Sequence, residues 1–518
     1  MKLERSKNAL RNIGFGLFEK AILLLGPFIV RTVFIHTLGA EYLGLNSLFT
    51  SILTILNVSE LGIGTALVYS MYQSIAKDDF AGLNALLLYY KKVYRIIGSV
   101  ILAAGLCLIP IIPFTIKSDI PPDINLTILY LVFLFDTVVS YFLFSHYNSL
   151  FYAFQRDDVP QKVNIVISTV KYIAQTAALI LAKEYYLFVI TLPVFTILGN
   201  VCSGIVSRKM FPQLRAEGKI SEQQRNEVKS KLSGIVVDKI MGISRNTFDS
   251  IFISMFLGLT SVAIYNNHLF VLSSVTELLL VLVRSMLAGI GNSVATETVS
   301  KNHSDMRKIN FIYMYLSGVC TICLFCLYTP FMTLWAGPEM TLPFSSIAMF
   351  CIYFYALKMG DVRYTYVQAA GLWREIRFYA IIEAGANLFL NFILGKMFGL
   401  NGIIAATIIS LLVINFCLRS QVLFKSYFTI NDLADFYSSH FFYGMVMAFS
   451  AAATYAVCKL IPTTWVGLFI KLFICVVMSN VLFLLVYRWT KIYKESMKFF
   501  LSAVRIPETS FVYKLFLS

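Results

Sequence analysis

Asp238, Gly242, Arg245 and Asp249 stand four, three and four residues apart, where the chain passes from polar to apolar sequence. At about 100° per residue a helix carries all four on one face. Ionisable groups on an apolar helix cost roughly 2.5–3.5 kcal/mol each at mid-membrane, so they face protein or water. Their chemistry there is limited. An arginine stays charged and can grip a phosphate or carboxylate with two donors. An aspartate can take up a proton or Na⁺. Asp249 is therefore either a partner of Arg245 or a cation site, and the spacing leaves both open.

The same types recur inside other apolar runs. Arg31 lies in the first run and Asn57 in the second. Asp136 lies in the fourth and Lys171 in the fifth. Asn266, Ser273, Glu277 and Arg284 line up along the eighth, and Glu383, Asn387 and Asn391 along the eleventh. Arg31, Arg245, Arg284, Lys171, Asn57 and Asn266 are the candidates for holding an anionic, hydrogen-bonding ligand. Asp249, Glu277, Asp136 and Glu383 are the candidates for a coupling ion, H⁺ or Na⁺. The competing reading for each is a structural ion pair or a hydrogen bond between helices. Lys358 and Asp361, three residues apart, read as a pair that neutralises itself.

Enzyme signatures are missing from the sequence. None of the five histidines pairs with another at metal spacing, and there is no phosphate loop and no H-E-x-x-H. We expect no catalysis and no cofactor. Cys320, Cys323 and Cys326 have a metal-like spacing but sit in an apolar run with no fourth ligand close in sequence. They read as small packing residues, and no metal is expected.

The elements that must carry these groups are membrane helices. The chain of 518 residues is 58% hydrophobic and 14% charged, against roughly 25% charged in an average soluble domain. Fourteen apolar segments centre on 14–35, 44–70, 86–112, 125–148, 161–182, 185–206, 235–257, 264–289, 309–334, 343–368, 375–397, 400–424, 439–460 and 464–487. Each is near the roughly 20 residues a helix needs to cross hydrocarbon. They are too continuously apolar for barrel strands.

The net charge of +15 is confined to alternate loops. Lysine and arginine crowd the N-terminus, 77–95, 156–162, 208–231, 301–308, 374–377, 419–425 and 488–498, and the loops between hold almost none. That is an orientation signal, and it places both termini in the cytoplasm. It excludes nucleic acid as the partner of the positive charge. The basic start followed by an apolar run without a small-x-small cleavage site reads as an uncleaved first span.

The two halves echo each other. Thr32 to Gly39 matches Ile251 to Gly258, and Gly62-Ile-Gly64 matches Gly289-Ile-Gly291, at offsets near 219 and 227. Ala153 to Arg156 matches Gly371 to Arg374 at 218, and Lys183 matches Lys396 at 213. Six spans plus six, each set starting inside, make a parallel repeat, an architecture of transporters. The expected organisation is a first lobe at 1–206 and a cytoplasmic linker at 207–232. A second lobe follows at 233–427, then two peripheral helices with a basic tail at 428–518.

Asp249 to Gly258 with Val262-Ala-Ile-Tyr265, the segment Arg31 to Leu45, and Leu61-Gly-Ile-Gly64 resemble signatures of bacterial polysaccharide-repeat flippases. These belong to the multidrug/oligosaccharidyl-lipid/polysaccharide exporter superfamily, and the resemblance spans the first twelve apolar segments. It implies two six-helix lobes around a central cavity lined by the first, second, seventh and eighth helices. It implies flipping of an undecaprenyl-diphosphate-linked oligosaccharide to the outer leaflet of a bacterial cytoplasmic (inner) membrane. Alternating access coupled to an ion gradient would drive it, with polysaccharide polymerase and chain-length machinery as partners beside the membrane lipids. Arg31, Arg245 and Arg284 become diphosphate or sugar-acid contacts. The alternatives are a cation-coupled multidrug exporter or a peptidoglycan-precursor flippase of the same fold. A membrane polymerase or glycosyltransferase is a different class, and the short outer loops argue against it.

Overall fold

The computed structural model describes residues 5–57, 77–117, 120–143, 145–220 and 247–503, with isolated positions at 68, 71–72, 74–75, 222 and 510. Among the described residues all regular structure is helical. Seven helical runs are long and apolar enough to cross a membrane, and three shorter apolar helices accompany them. The run Trp373–Ser426 alone has 54 residues. At 1.5 Å per residue that is roughly 80 Å, enough to cross a hydrocarbon layer of about 30 Å twice. This is a multi-pass membrane protein.

By contacts the chain divides into Met1–Asn266 and Asn267–Ser518. The first unit contains α1 (Arg5–Thr37), α2 (Ala40–Leu56), α3 (Phe80–Leu108), α4 (Leu126–Phe142), α5 (Asp158–Ala177) and α6 (Tyr185–Met210). It also holds α7 (Thr247–Leu257) and the first two turns of α8 (Leu259–Thr296). α1 lies along α5, α4 along α6, and α3 along α4. The buried seam is aromatic: Phe34 meets Tyr185 and Phe188 edge-on, and Phe49 meets Tyr130 and Phe133 likewise. Such edge contacts add about 0.5–1.5 kcal/mol each beyond area burial.

The end of α7 is fixed to this unit in two ways. Lys117, in the α3–α4 loop, donates its backbone N–H to the Ser254 carbonyl at 3.2 Å. Its Nζ donates to the Phe256 carbonyl at 2.6 Å. A cation on the last carbonyls of a helix is favoured by the helix dipole. Gly44 of α2 approaches the start of α8 so closely that a Cβ there would lie 2.0 Å from the Leu259 carbonyl oxygen.

In the second unit α9 (Val299–Ala336) is central, with more than half of its most apolar window buried. Around it pack α10 (Phe344–Met359), α12 (Leu433–Cys458), α13 (Trp465–Tyr487) and the tail helix α14 (Lys491–Ala503), while α11 (Trp373–Ile409) lies on α10. The two segments expected to be peripheral, α12 and α13, both lie against α9. α11 breaks at Gly399, where φ is 59° and ψ −135°.

Backbone features recur between the halves. The turn before α2 uses Gly39 at φ 91°, and the turn before α8 uses Gly258 at φ 88°, 219 residues on. Left-handed backbone favours glycine because a Cβ clashes there. Asp79 caps α3 through the Gly82 N–H, and Thr298 caps α9 through the Lys301 N–H, again 219 apart. Gln155 and Gly371, and then Lys183 and Gly399, are left-handed pairs 216 apart. This shifts two pairings read from the sequence: Gly371 answers Gln155 rather than Ala153, and Lys183 answers Gly399 rather than Lys396.

Gly44→Ala should lower the thermal midpoint of the detergent-purified protein, at a cost of about 1–3 kcal/mol for overpacking. Gly289→Ala, where a Cβ meets nothing within 4 Å, should leave it unchanged or raise it, by up to about 1 kcal/mol. Equal midpoints for the two variants would contradict the close approach of α2 and α8.

Candidate functional site

Arg31 sits on α1 four residues after Pro27, a proline inside the helix. Proline removes one backbone hydrogen bond and bends the helix. The preceding Gly26 lets α1 meet α5, since a Cβ there would lie 2.1 Å from the Tyr172 ring. The half-buried Arg31 guanidinium donates through Nη1 to the Asn266 carbonyl at 3.4 Å. Asn266 in turn donates from Nδ2 to the Val262 carbonyl at 3.0 Å and to Ser250 Oγ at 3.1 Å. One residue before it, the Tyr265 hydroxyl donates to Asp249 Oδ2 at 2.8 Å. Asp249, Ser250 and Tyr265 are all fully buried.

The Gly258 turn makes this arrangement. It folds the first turns of α8 back on α7, so residues 16 apart pair twice, Asp249 with Tyr265 and Ser250 with Asn266. Arg31 of α1 then reaches the same corner. Of the face on the seventh span, Asp249 is placed here. Asp238, Gly242 and Arg245 lie outside the described residues, as do Glu60 and Gly62 to Gly64.

A second polar spot in the same unit joins three helices. Asp136 of α4 accepts from the Thr196 hydroxyl of α6 at 2.6 Å. Lys171 of α5 is an electrostatic partner of Asp136, and its ammonium stands 5.2 Å from the Tyr172 ring centroid. Asn57, at the C-terminal cap of α2, accepts from the Tyr141 hydroxyl of α4 at 2.5 Å. An apolar groove of about 700 Å³ runs between α1 and α5, lined by Phe18, Ile22, Leu25, Ile29, Ile173 and Ile180 among others.

In the second unit Glu383 is not an isolated carboxylate. Its Oε2 lies 3.1 Å from Arg419 Nη2 and accepts from Asn415 Nδ2 at 2.9 Å. Asn415 lies in a π-helical stretch, Ser410–Leu418. Wide turns of this kind leave carbonyls without their usual partners. Arg363, fully buried, fills that gap by donating to the Asn415 carbonyl and, at 2.9 Å, to its Oδ1. Glu277 and Arg284 pair at 3.3 Å on α8, but both are open, at 48% and 61% side-chain exposure. That pair is accessible to a ligand or to the surrounding medium, and Glu383 is not.

Sequence reasoning missed the partners. It counted Arg11, Arg156 and Lys162 as loop charges, whereas all three converge within 3.1 Å on the buried Asp158 carboxylate. The i,i+4 spacing of Asp158 and Lys162 was the available signal. It also took Cys326 as a packing residue, yet the fold brings it beside Cys458 and Cys475. His268 is a packed ring, stacked on Tyr328 at 5.5 Å.

The class this architecture defines is a polytopic helical membrane protein. No protein-family model and no curated protein matches the chain. Solved structures do. A lipid II flippase, MurJ, in an inward closed conformation, superposes with TM-score 0.63 at 15% identity, over 93% of this chain and 99% of that one. A multidrug resistance MATE transporter of the MOP superfamily, inward-facing, gives 0.60 at 13% identity, over 81% and 99%. A MOP superfamily transporter from Pyrococcus furiosus with a binding pocket of reversed polarity gives 0.56 at 14% identity, over 83% and 96%. The chain therefore has the fold of MOP superfamily transporters.

Glu383→Ala should destabilise the protein by about 3–5 kcal/mol, because it strands the buried Arg419. Glu383→Ala combined with Arg419→Ala should cost less than the sum of the two single changes. Additive midpoints in thermal unfolding would deny the pair.

Proposed function

We propose that the protein is a flippase. It moves an undecaprenyl-diphosphate-linked oligosaccharide unit across the cytoplasmic membrane for surface polysaccharide synthesis, by alternating access coupled to an H⁺ or Na⁺ gradient. What carries this reading is the extent of the structural likeness. The lipid II flippase matches 93% of the chain, whereas the multidrug transporter matches 81%. The difference is about the length of two spans. The apolar groove between α1 and α5 offers a surface for a hydrocarbon chain, which a soluble sugar would not need.

Arg31 is the proposed phosphate contact. Its guanidinium lies beside polar groups of α7 and α8, where a diphosphate could accept two donors. Arg245 and Arg284 are the other proposed diphosphate or sugar-acid contacts, with Lys171, Asn57 and Asn266 as further candidates. Asp249 is the proposed coupling site, ahead of Glu277 and Asp136. It is buried, it accepts from Tyr265, and it shares the corner with Arg31. Glu383 ranks last because Arg419 already holds it. Polymerase and chain-length partners follow from the substrate alone.

A second reading, transport of the peptidoglycan precursor, is favoured by the likeness to the lipid II flippase. Depletion of the protein in its native cell separates the two. Lipid-linked surface-glycan units should accumulate on the inner leaflet while the surface glycan disappears. Accumulation of lipid II would support the second reading instead. Unchanged lipid pools, with increased sensitivity to cationic dyes, would overturn both. In a complementation assay Arg31→Ala should cut surface glycan about tenfold, equivalent to roughly 1.4 kcal/mol of barrier, with normal membrane insertion. Full complementation would remove Arg31 from the path.

A further inference from the structure

Within the second unit, three thiols from three helices meet at one point, with a fourth one helical turn away. Cys323 and Cys326 lie one turn apart on α9, a C-x-x-C spacing that puts both on one face. Cys458 is the last residue of α12, and Cys475 lies ten residues into α13. Cys458 Sγ and Cys475 Sγ are 3.6 Å apart. The sulfurs of Cys326, Cys458 and Cys475 all lie within 4.8 Å of one another. Cys323, one turn before Cys326 on the same face and an interaction partner of Cys475, is the candidate fourth ligand. Cys326, Cys458 and Cys475 are 3%, 2% and 0% exposed, so water does not compete for them.

We propose that Cys323, Cys326, Cys458 and Cys475 form a thiolate site for a thiophilic closed-shell cation of the Zn²⁺ type. Geometry and ligand chemistry fit. Four sulfurs about 2.3 Å from a tetrahedral ion stand about 3.8 Å from one another. The Cys458–Cys475 separation of 3.6 Å is close to that, and far from the roughly 2.05 Å of a disulfide bond. Sulfur ligands select soft and borderline cations over Na⁺, Mg²⁺ or Ca²⁺. The bound ion joins α12 and α13 to α9. It therefore acts as a clamp on the last two spans and takes no part in the transport path. Loading releases thiol protons to solvent, so affinity falls as pH is lowered.

The test uses the full-length protein purified in detergent, stripped of metal and kept reduced, and titrated with Co²⁺ as a spectroscopic probe and then with Zn²⁺. One Co²⁺ per chain should bind, with thiolate-to-cobalt charge-transfer bands and the d–d bands of a tetrahedral site, and Zn²⁺ should displace it. Bound Zn²⁺ should slow alkylation of these thiols and raise the thermal midpoint. Cys475→Ser should abolish the bands, and Cys107→Ser, at an exposed thiol in the other unit, should keep them. If Cys475→Ser does not fold, the alkylation measurement on the unaltered protein decides alone. Absence of binding in that protein, Co²⁺ bands that survive Cys475→Ser, or a Cys458–Cys475 disulfide in the protein as isolated would each overturn the proposal.

Discussion

An ionised side chain on a helix that crosses hydrocarbon is costly unless it faces water or a partner within the protein. That requirement organises this structure. Asp158 gathers Arg11, Arg156 and Lys162 from two helices and the loop before the second. Lys358, its side chain wholly buried, holds Asp361 at 2.8 Å, and the Tyr313 hydroxyl of α9 donates to the same carboxylate at 2.5 Å. Arg363, Asn415, Glu383 and Arg419 form one connected set. Each group pairs its charges and ties together segments of its unit. Lipid tails are as apolar as leucine, so burial gives helices little reason to prefer one another. Polar pairing and close contacts such as that of Gly44 supply the specificity.

Against this background the corner formed by α1, α7 and α8 is distinctive. Arg31 donates to a backbone carbonyl at 3.4 Å, longer than a strong charge-assisted bond. Beside it Asp249 accepts from a tyrosine hydroxyl. Arg363, by contrast, is held by three oxygens inside a packed unit. The proposed contact for an anionic headgroup is Arg31.

Much of the architecture was legible in the sequence because a bilayer writes its thickness into apolar run length. The described helices fall in order on the apolar segments, and the MOP fold follows. The Gly39 and Gly258 turns stood out because only glycine suits that backbone. Partner choice was not legible. Glu383 looked like a coupling carboxylate because Arg419 is 36 residues away and reads as a loop cation. Lys183 was matched to Lys396 by identity, while the backbone matched it to Gly399 by conformation. The thiols were dismissed because the sequence around Cys326 supplies no fourth ligand, whereas two more arrive from α12 and α13. In each case the missing information was which helix faces which, and hydrophobic periodicity does not carry it.

The central claim is that this fold moves a polyprenyl-diphosphate-linked oligosaccharide across a bilayer. It is tested most directly with the purified protein in liposomes, by following how fast an added glycosidase reaches a labelled lipid-linked oligosaccharide placed in the inner leaflet. The expected result is protein-dependent exposure of the whole labelled pool, faster under an imposed H⁺ or Na⁺ gradient. Exposure no faster than in protein-free liposomes, from preparations that expel amphipathic cations under the same gradient, would contradict it.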